Sequence, residues 1–298
     1  MQNDSGAEIT IVGEVLYDCF PDGKQIPGGA PFNVAWNLKA LGCSPRFISA
    51  VGMDGLGDAL VKLSVDWGID VNGLQRKENH ATGIVKVSLN DGSHSFHIQE
   101  DAAYDHLELP EVSETDRGGI LYHGSLVCRS AKSSETIQLL REQWLGPVFI
   151  DINIREPWFD LDRYRPLLTD VDYLKVNESE FEFLARQPLS REYALDGMKA
   201  LMEQYGIRNL IVTCGSDGAC WCDGRIVYQV DSDKTLNVAD TVGAGDAFSA
   251  VCLKGIVEGW PIGKTLPYAN AFAETICTLT GATTQDAAFY EAAQRDRF

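Results

Sequence analysis

The stretch "VDYLKVNESEFEFLARQ", residues 171–187, passes without a break from one kind of local structure to another. Its first seven residues form a short apolar run of the kind found in buried strands, and "ESEFEFLARQ" reads as a helix. At the join, Asn177 and Glu180 have the spacing of a capping pair at a helix start. The same exchange recurs on both sides. "GGILYHGSL" (118–126), "PVFIDIN" (147–153) and "RNLIVTCG" (208–215) read as strands, while "SETIQLLREQWLG" (134–146) and "ALDGMKALMEQYG" (194–206) read as helices. Strand alternating with helix predicts a mostly parallel central sheet with helices on both faces, a three-layer αβα domain.

Working outward, "EITIVGEVLYDCF" (8–20) is a strand-like run that ends in turn chemistry at Pro21, Asp22 and Gly23. "PFNVAWNLKALG" (31–42) is a helix with Val34, Ala35, Leu38 and Leu41 on one face and a stop at Gly42. "RFISAVG" (46–52) is a strand and "DGLGDALVKLSVDWG" (54–68) a turn and a helix. The alternation then breaks. "TGIVKVSLNDGSHSFHIQ" (82–99) has period two around Asp91-Gly92, a hairpin signal that projects from the main sheet. "GACWCDG" and "RIVYQV" (218–230) form a second hairpin, and two helices follow near 245–258 and 263–279. Without repeats or linkers, residues 1–298 read as one domain, with lid strands around 14–27 and 82–98.

Composition narrows the function classes. Of 298 residues 45% are hydrophobic and 23% charged, enough apolar material for a sizeable core. The net charge of −18 argues against nucleic acid or an anionic membrane as partner, since both need a basic face. No window approaches a membrane span, and the N-terminus lacks the basic and apolar regions of a signal peptide. The eight cysteines are scattered; only Cys220 and Cys222 are close, without metal-site spacing. Buried thiols in the reducing cytoplasm are the expectation.

Two glycine-rich segments carry chemistry, and neither is a P-loop or a dinucleotide fingerprint. In "DTVGAGDAF" (240–248) the residues Gly243, Ala244, Gly245 and Asp246 fall in the first turn of a helix. The amides there lack acceptors and the helix dipole adds positive potential, so the turn can stabilise charge on a transferring phosphoryl group. Asp246 is then well placed to take a proton from an attacking hydroxyl. It also suits the role of a plain first-turn carboxylate, and these residues alone leave both readings open. In "PGGAPFNVAWNL" (27–38), Gly28 and Gly29 permit close approach of backbone to a ligand, and Asn33 offers an amide that both donates and accepts. That suits a polyhydroxylated ligand, although a tight turn and a core helix would use the same residues. Asp18 can accept from hydroxyls or cap a turn. His94, His97 and His123 have no partner pattern and read as surface or supporting residues.

Together, "GGAPFNVAWNLKALG" and "DTVGAGDAF" resemble the two signatures of the ribokinase-like (PfkB) carbohydrate kinases, fructokinase-like group, and the resemblance runs over about residues 9–285. It implies a sheet between helices, a β-hairpin lid over the sugar, and ATP-dependent phosphorylation of a sugar hydroxyl. By motif position, Asp246 corresponds to the catalytic base and Gly243, Ala244 and Gly245 to the anion hole. Asp18, Gly28, Gly29 and Asn33 correspond to sugar contacts. Arg155 in "DINIREPW" matches the arginine of a D-P-N-[LIV]-R motif, with Ile152 replacing its proline. Asn177 and Glu180 fit N-x-x-E, near the phosphates and a hydrated Mg²⁺. Thr213, Gly215 and Gly218 fit a nucleotide segment and Asn270 an adenine-side asparagine. Asp240, Val242 and the backbone near Leu279 and Gly281 match a monovalent-cation (K⁺) site of some members. Phe96 and Ile98, alternating on one face, are expected to close the lid over the sugar, and the alternating "IVKVSL" (84–89) is a candidate for pairing in a homodimer. Fructose is the expected substrate, with 2-keto-3-deoxygluconate, ribose or a nucleoside as alternatives. A catalytically silent sugar-binding module is the reading from a different class.

Overall fold

The computed structural model describes residues 8–295 apart from 91–92, 190–193 and 236. In chain order its strands are β1 (Ile9–Val12), β2 (Leu16–Cys19), β3 (Gln25–Gly28), β4 (Arg46–Gly52), β5 (Asp70–Lys77), β6 (Gly83–Asn90), β7 (Ser93–Ile98), β8 (Ile120–His123), β9 (Val148–Asp151), β10 (Tyr173–Asn177), β11 (Asn209–Thr213), β12 (Ala219–Cys222) and β13 (Val227–Val230). They form two sheets. The larger has the order β13-β12-β11-β10-β9-β8-β1-β4-β5 and the smaller β3-β2-β6-β7. From β11 to β5 every pairing in the larger sheet is parallel, and β12 and β13 close one edge as an antiparallel hairpin.

Period-two alternation sends side chains to two cores. Along β9, Phe149 joins the cluster beneath helices Ala30–Ala40, Gly55–Trp67, Ala244–Val257 and Ile262–Ile276. Its neighbours Val148 and Ile150 join the cluster beneath helices Ala131–Glu142, Leu161–Leu168, Glu178–Ala185 and Ala194–Tyr205. Each large apolar side chain buried in this way contributes about 1.5–3 kcal/mol, and the result is the expected three-layer αβα arrangement. Within β10, Leu174 and Val176 take the second face, so Lys175 faces helix Ala244–Val257 with Tyr173. A lysine in an otherwise apolar strand needs a partner, and its partner lies in the site.

Several elements differ from the sequence reading. The run 8–20 is not one strand: Gly13, Glu14 and Val15 carry the chain out of the larger sheet, and β2 starts the smaller one. The projecting piece is a sheet of four strands, drawn from the two stretches expected around 14–27 and 82–98, with β2 antiparallel to β3 and parallel to β6. The Asp91-Gly92 turn and the side chain of His94 lie outside the described residues, but β6 and β7 pair antiparallel from Val85↔Ile98 to Asn90↔Ser93. Because β6 is hydrogen-bonded on both sides, "IVKVSL" is not an open edge; β3 and β7 are. Strand β5 and helices Leu161–Leu168 and Ala287–Arg295 carry no signal that the sequence reading used. β5 is a polar edge strand, Pro166 sits inside the first helix, and the second buries only Tyr290 and Ala293.

Leu16, Val85, Ile98, Ala102, Tyr104 and Leu126 form the apolar core of the smaller sheet, with Trp158 packed against it. At its base Thr82 is bonded to the larger sheet and to a helix start. Its Oγ1 accepts from Gly52 N at 3.0 Å and donates to Asp54 Oδ1 at 2.7 Å, while Asp54 Oδ2 accepts from Thr82 N at 2.8 Å. None of the eight cysteines forms a disulfide among the described residues, and Cys220 and Cys222 are buried in β12. No helix among the described residues is long and apolar enough to cross a membrane.

Candidate active site

In a parallel sheet the carboxyl ends of the strands gather the loops that bind ligands. Here Asp151, Asn177 and Thr213 are the last residues of β9, β10 and β11. Above them stand the starts of two helices. Helix Ala30–Ala40 begins at Gly29 (φ 107°) and helix Ala244–Val257 at Gly243 (φ 79°), both in backbone conformations that favour glycine, and neither has a side-chain cap. A Cβ at Gly243 would lie 2.4 Å from that of Ala282, so close packing demands glycine there as well.

These two helix starts meet. Asn33 Nδ2 donates to Asp246 Oδ2 at 2.8 Å, joining the two signature segments across 213 positions of sequence. Asp246 is only 8% exposed, and burial raises its pKa to about 6; the Asn33 bond, Lys175 and Arg155 oppose that rise, and Asp151 adds to it. In the same first turn, Ala244 N donates weakly to Thr241 O at 3.3 Å, and helix geometry offers no acceptor to the amides of Gly245 and Asp246. Positive backbone dipoles and a buried carboxyl thus share one turn.

Asp18 lies over Gly28, where a Cβ would stand 2.9 Å from Asp18 Oδ2. Burial raises the Asp18 pKa to about 6, against the pull of Arg155. Arg155 itself is exposed, and its charge is felt at Asp18, at Asp246 and at Glu14. Ile98 is buried in the small-sheet core, whereas Phe96, two residues earlier, is 64% exposed. His123, expected at the surface or in support, is fully buried in the strand core.

On the other side, Asn177 and Glu180 form a complete capping box. Asn177 Oδ1 accepts from Glu180 N at 2.9 Å, and Glu180 Oε2 accepts from Asn177 N at 2.8 Å. Glu180 Oε1 also accepts from Ile154 N at 2.7 Å, which ties the Arg155 loop to β10. Beyond β11, Thr213 leads into a tight turn at Gly215–Asp217 closed by Gly218. Ser232 Oγ lies 3.2 Å from Gly215 O and 3.4 Å from Asn270 Oδ1, so that turn and Asn270 belong to one group. Asp240 gathers its own loop: Oδ1 accepts from Val242 N at 3.1 Å and Oδ2 from Gly281 N at 3.0 Å.

Four residues that the sequence reading passed over also belong here. Lys175 Nζ lies 2.9 Å from both oxygens of Asp151, whose Oδ2 also accepts from Ser249 Oγ at 2.7 Å. The ion pair is buried beside the first turn of helix Ala244–Val257, where a Cβ on Gly245 would stand 3.4 Å from Lys175 Nζ. A charged residue inside the apolar run of β10 was the available signal. Glu14, in the crossing between the sheets, is buried, and its Oε2 makes no hydrogen bond among the described residues. Burial pushes its pKa up to about 7, with Asp246 adding to the rise.

Comparison with known proteins agrees with this geometry. The sequence matches the pfkB family of carbohydrate kinases over residues 11–288. It is 31% identical to a fructokinase of Escherichia coli over 265 residues, covering 84% of each chain. A fructokinase of Vibrio cholerae, solved with fructose, ADP and calcium, superposes with a TM-score of 0.81 at 26% identity, over 97% of this chain and 99% of that one. An uncharacterized sugar kinase of Pyrococcus horikoshii, solved with ATP, gives 0.78 at 25% identity over 95% and 99%. With the family matched across nearly the whole chain and its two signatures meeting at Asn33 and Asp246, the protein belongs to the pfkB carbohydrate kinases, in their fructokinase-like group.

Proposed function

We propose that this carbohydrate kinase moves the γ-phosphoryl group of ATP to a primary hydroxyl of fructose. The observation that carries the reading is the buried Asp246, bonded to Asn33 and set in the same turn as the Gly245 amide. Asp18, Asn33 and the Gly28–Gly29 turn orient the sugar, and Asp246 accepts the hydroxyl proton. The sugar oxygen bonds to the γ-phosphorus as the bond to the β–γ bridging oxygen breaks. The products are the sugar phosphate and ADP, with the proton on the Asp246 carboxyl. Amides of Gly243, Ala244 and Gly245 stabilise charge on the transferring group, a type of term worth several kcal/mol in such sites. Lys175 beneath them adds positive potential while Asp151 holds its ammonium in place.

On the nucleotide side, Thr213, Gly215, Gly218 and Asn270 are the proposed ATP contacts, with Asn177 toward the phosphates. Each oxygen of Glu180 already accepts a backbone amide, which suits holding a hydrated Mg²⁺ through water. Bound there, Mg²⁺ would neutralise phosphate charge. K⁺ is the ion proposed for the Asp240–Val242–Gly281 loop. Arg155 supplies positive charge to the sugar side. The smaller sheet is the proposed lid; its open strands β3 and β7 are the edges through which a homodimer would pair, and sedimentation of the purified chain tests that. A cytoplasmic location fits eight free thiols.

A coupled ADP-release assay on fructose, 2-keto-3-deoxygluconate, ribose and a nucleoside tests the substrate. Turnover strongest on fructose supports the reading. Strongest turnover on another member of the panel reassigns the sugar. Tight sugar binding by calorimetry without turnover on any of them would identify a silent binding module.

A further inference from the structure

Away from the kinase site, one group of side chains has the chemistry of a metal centre. His106 Nε2 lies 2.6 Å from Asp101 Oδ1, and His80 Nδ1 lies 3.5 Å from Asp101 Oδ2. One ligand atom from each of the three residues falls within 4.8 Å of the other two. The imidazoles are stacked, ring centres 3.4 Å apart and planes 15° from parallel. His80 Nδ1 is shielded from water and makes no hydrogen bond among the described residues. Asp101 is held at φ 54° with its carboxylate largely open to solvent, so an ion can reach it.

We propose that His80, Asp101 and His106 form a binding site for a divalent transition metal of the Zn²⁺ class at the base of the smaller sheet. Two imidazoles and one carboxylate make an N₂O donor set, which suits Zn²⁺ and its late first-row neighbours and does not suit Mg²⁺ or K⁺. Tetrahedral bonds of about 2.0–2.1 Å place ligand atoms roughly 3.3 Å apart. The two imidazoles approach different oxygens of Asp101, at 2.6 and 3.5 Å, and the three ligand atoms lie within 4.8 Å of one another, so side-chain rotation is what brings all three onto one ion. Without an ion, His106 makes a close contact to Asp101 while His80 Nδ1 has only a longer, 3.5 Å approach to the same carboxylate.

The position gives the site a purpose. His80 lies in the connection from β5 to β6, and Asp101 and His106 lie in the return from β7. Those two connections already touch through Ala103 N to Ala81 O at 2.8 Å, and Thr82 anchors the first to Asp54. An ion shared by all three side chains staples the smaller sheet to the larger one. The inference does not depend on which sugar the kinase uses.

Calorimetric titration of the full chain tests it. The protein is stripped with chelator, held in saturating Mg²⁺ and titrated with ZnCl₂. One Zn²⁺ per chain is expected, with affinity lowered more than ~10-fold in His106→Ala and in Asp101→Asn. Zn²⁺ should raise Tm in the wild type and leave His80→Gln/His106→Gln unchanged. Co²⁺ in place of Zn²⁺ should give ligand-field bands without thiolate charge transfer. Circular dichroism and Mg²⁺-dependent turnover check that the variants fold. Failure of the wild type to take up Zn²⁺, or equal affinity in the double variant, overturns the site; a thiolate band places the ion on cysteine instead.

Discussion

Asp246 and Glu180 occupy the same position in two helices: each is the third residue of the first turn. Their partners differ. Glu180 folds back on its own helix, and both its oxygens accept main-chain amides. Asp246 has no cap to complete, and its carboxylate instead accepts from Asn33 in another helix. Both carboxyls are buried and burial raises both pKa values; the difference is that Glu180 is bonded to main-chain amides of its own helix start and the Arg155 loop, and Asp246 to a side chain of another helix. A carboxyl bonded to the other signature segment and not to its own helix start is what singles out Asp246 as the proposed base.

The strongest break of that comparison is Asp246→Asn. It keeps the shape and an acceptor for Asn33, and removes the base. Turnover should fall about 10²–10⁴-fold or more with little change in sugar binding; near-normal kcat would falsify the assignment. Stability should rise. A carboxyl whose pKa climbs from 3.8 to about 6 on folding binds extra protons in the folded state between those values. Its stabilising contribution is complete below pH ~4 and lost as pH rises through ~6, leaving a deficit of about 3 kcal/mol at neutral pH. The asparagine variant avoids that deficit, so Tm at pH 8 should rise by roughly 5 °C or more. Glu14, raised to about 7, adds a second descending limb that ends about one pH unit higher. Differential scanning of wild type and variant at pH 5 and pH 8 checks the sign: the gap should open at the higher pH.

Next in size is the pair beside the first turn of helix Ala244–Val257. Lys175→Met leaves Asp151 buried with Ser249 as its remaining donor and should destabilise by about 3–5 kcal/mol, as breaking a buried pair does. Adding Asp151→Asn should recover much of that stability but not the turnover, because the ammonium under Gly245 is still missing. A double-mutant cycle in urea, read beside kcat, separates the two. Full recovery of kcat in the double variant would show that Lys175 serves folding alone.

Asn33→Ala is a subtler probe of the contact that joins the signatures. The Asn33 bond holds the Asp246 pKa down, so its loss should move the acid limb of the kcat/KM profile upward from about pH 6. A 10- to 100-fold fall in kcat/KM at neutral pH is expected, roughly 1.4–2.7 kcal/mol of transition-state stabilisation. An unshifted limb would mean that another group governs it.

These probes also sort what could be read from residues alone. The alternation around 171–187 exposed the sheet because strand and helix periods are local and long. The Asn177–Glu180 box was legible for the same reason: its partners are three residues apart. Each glycine signature could be found, yet nothing local says that Asn33 touches Asp246 across 213 residues. Lys175, Asp151 and Ser249 come from a strand, its neighbour and a helix, so their chemistry exists only after packing. The break at Gly13 is a matter of topology: a continuous apolar run is equally good in either sheet, and the turn toward the smaller one depends on what β8 and β6 offer as partners.

The smallest expected effect returns to Glu180's own helix. Asn177→Ala removes the side-chain half of the capping box, freeing the Glu180 amide, while Glu180 still accepts from the Asn177 amide and from Ile154. Loss of such a cap destabilises by about 1 kcal/mol. At this size Tm should drop by roughly 2–4 °C. The KM for ATP should rise more than kcat falls, since Asn177 is proposed to bind phosphate and not to move the proton. Asn177→Asp separates capping from binding: it restores an acceptor at the helix start, so Tm should recover, while its negative charge toward the phosphates keeps KM high. If instead both Tm and KM recover in Asn177→Asp, the residue serves the helix alone, and the division between a charge used by the fold and a charge used by the reaction extends from Glu180 to its capping partner.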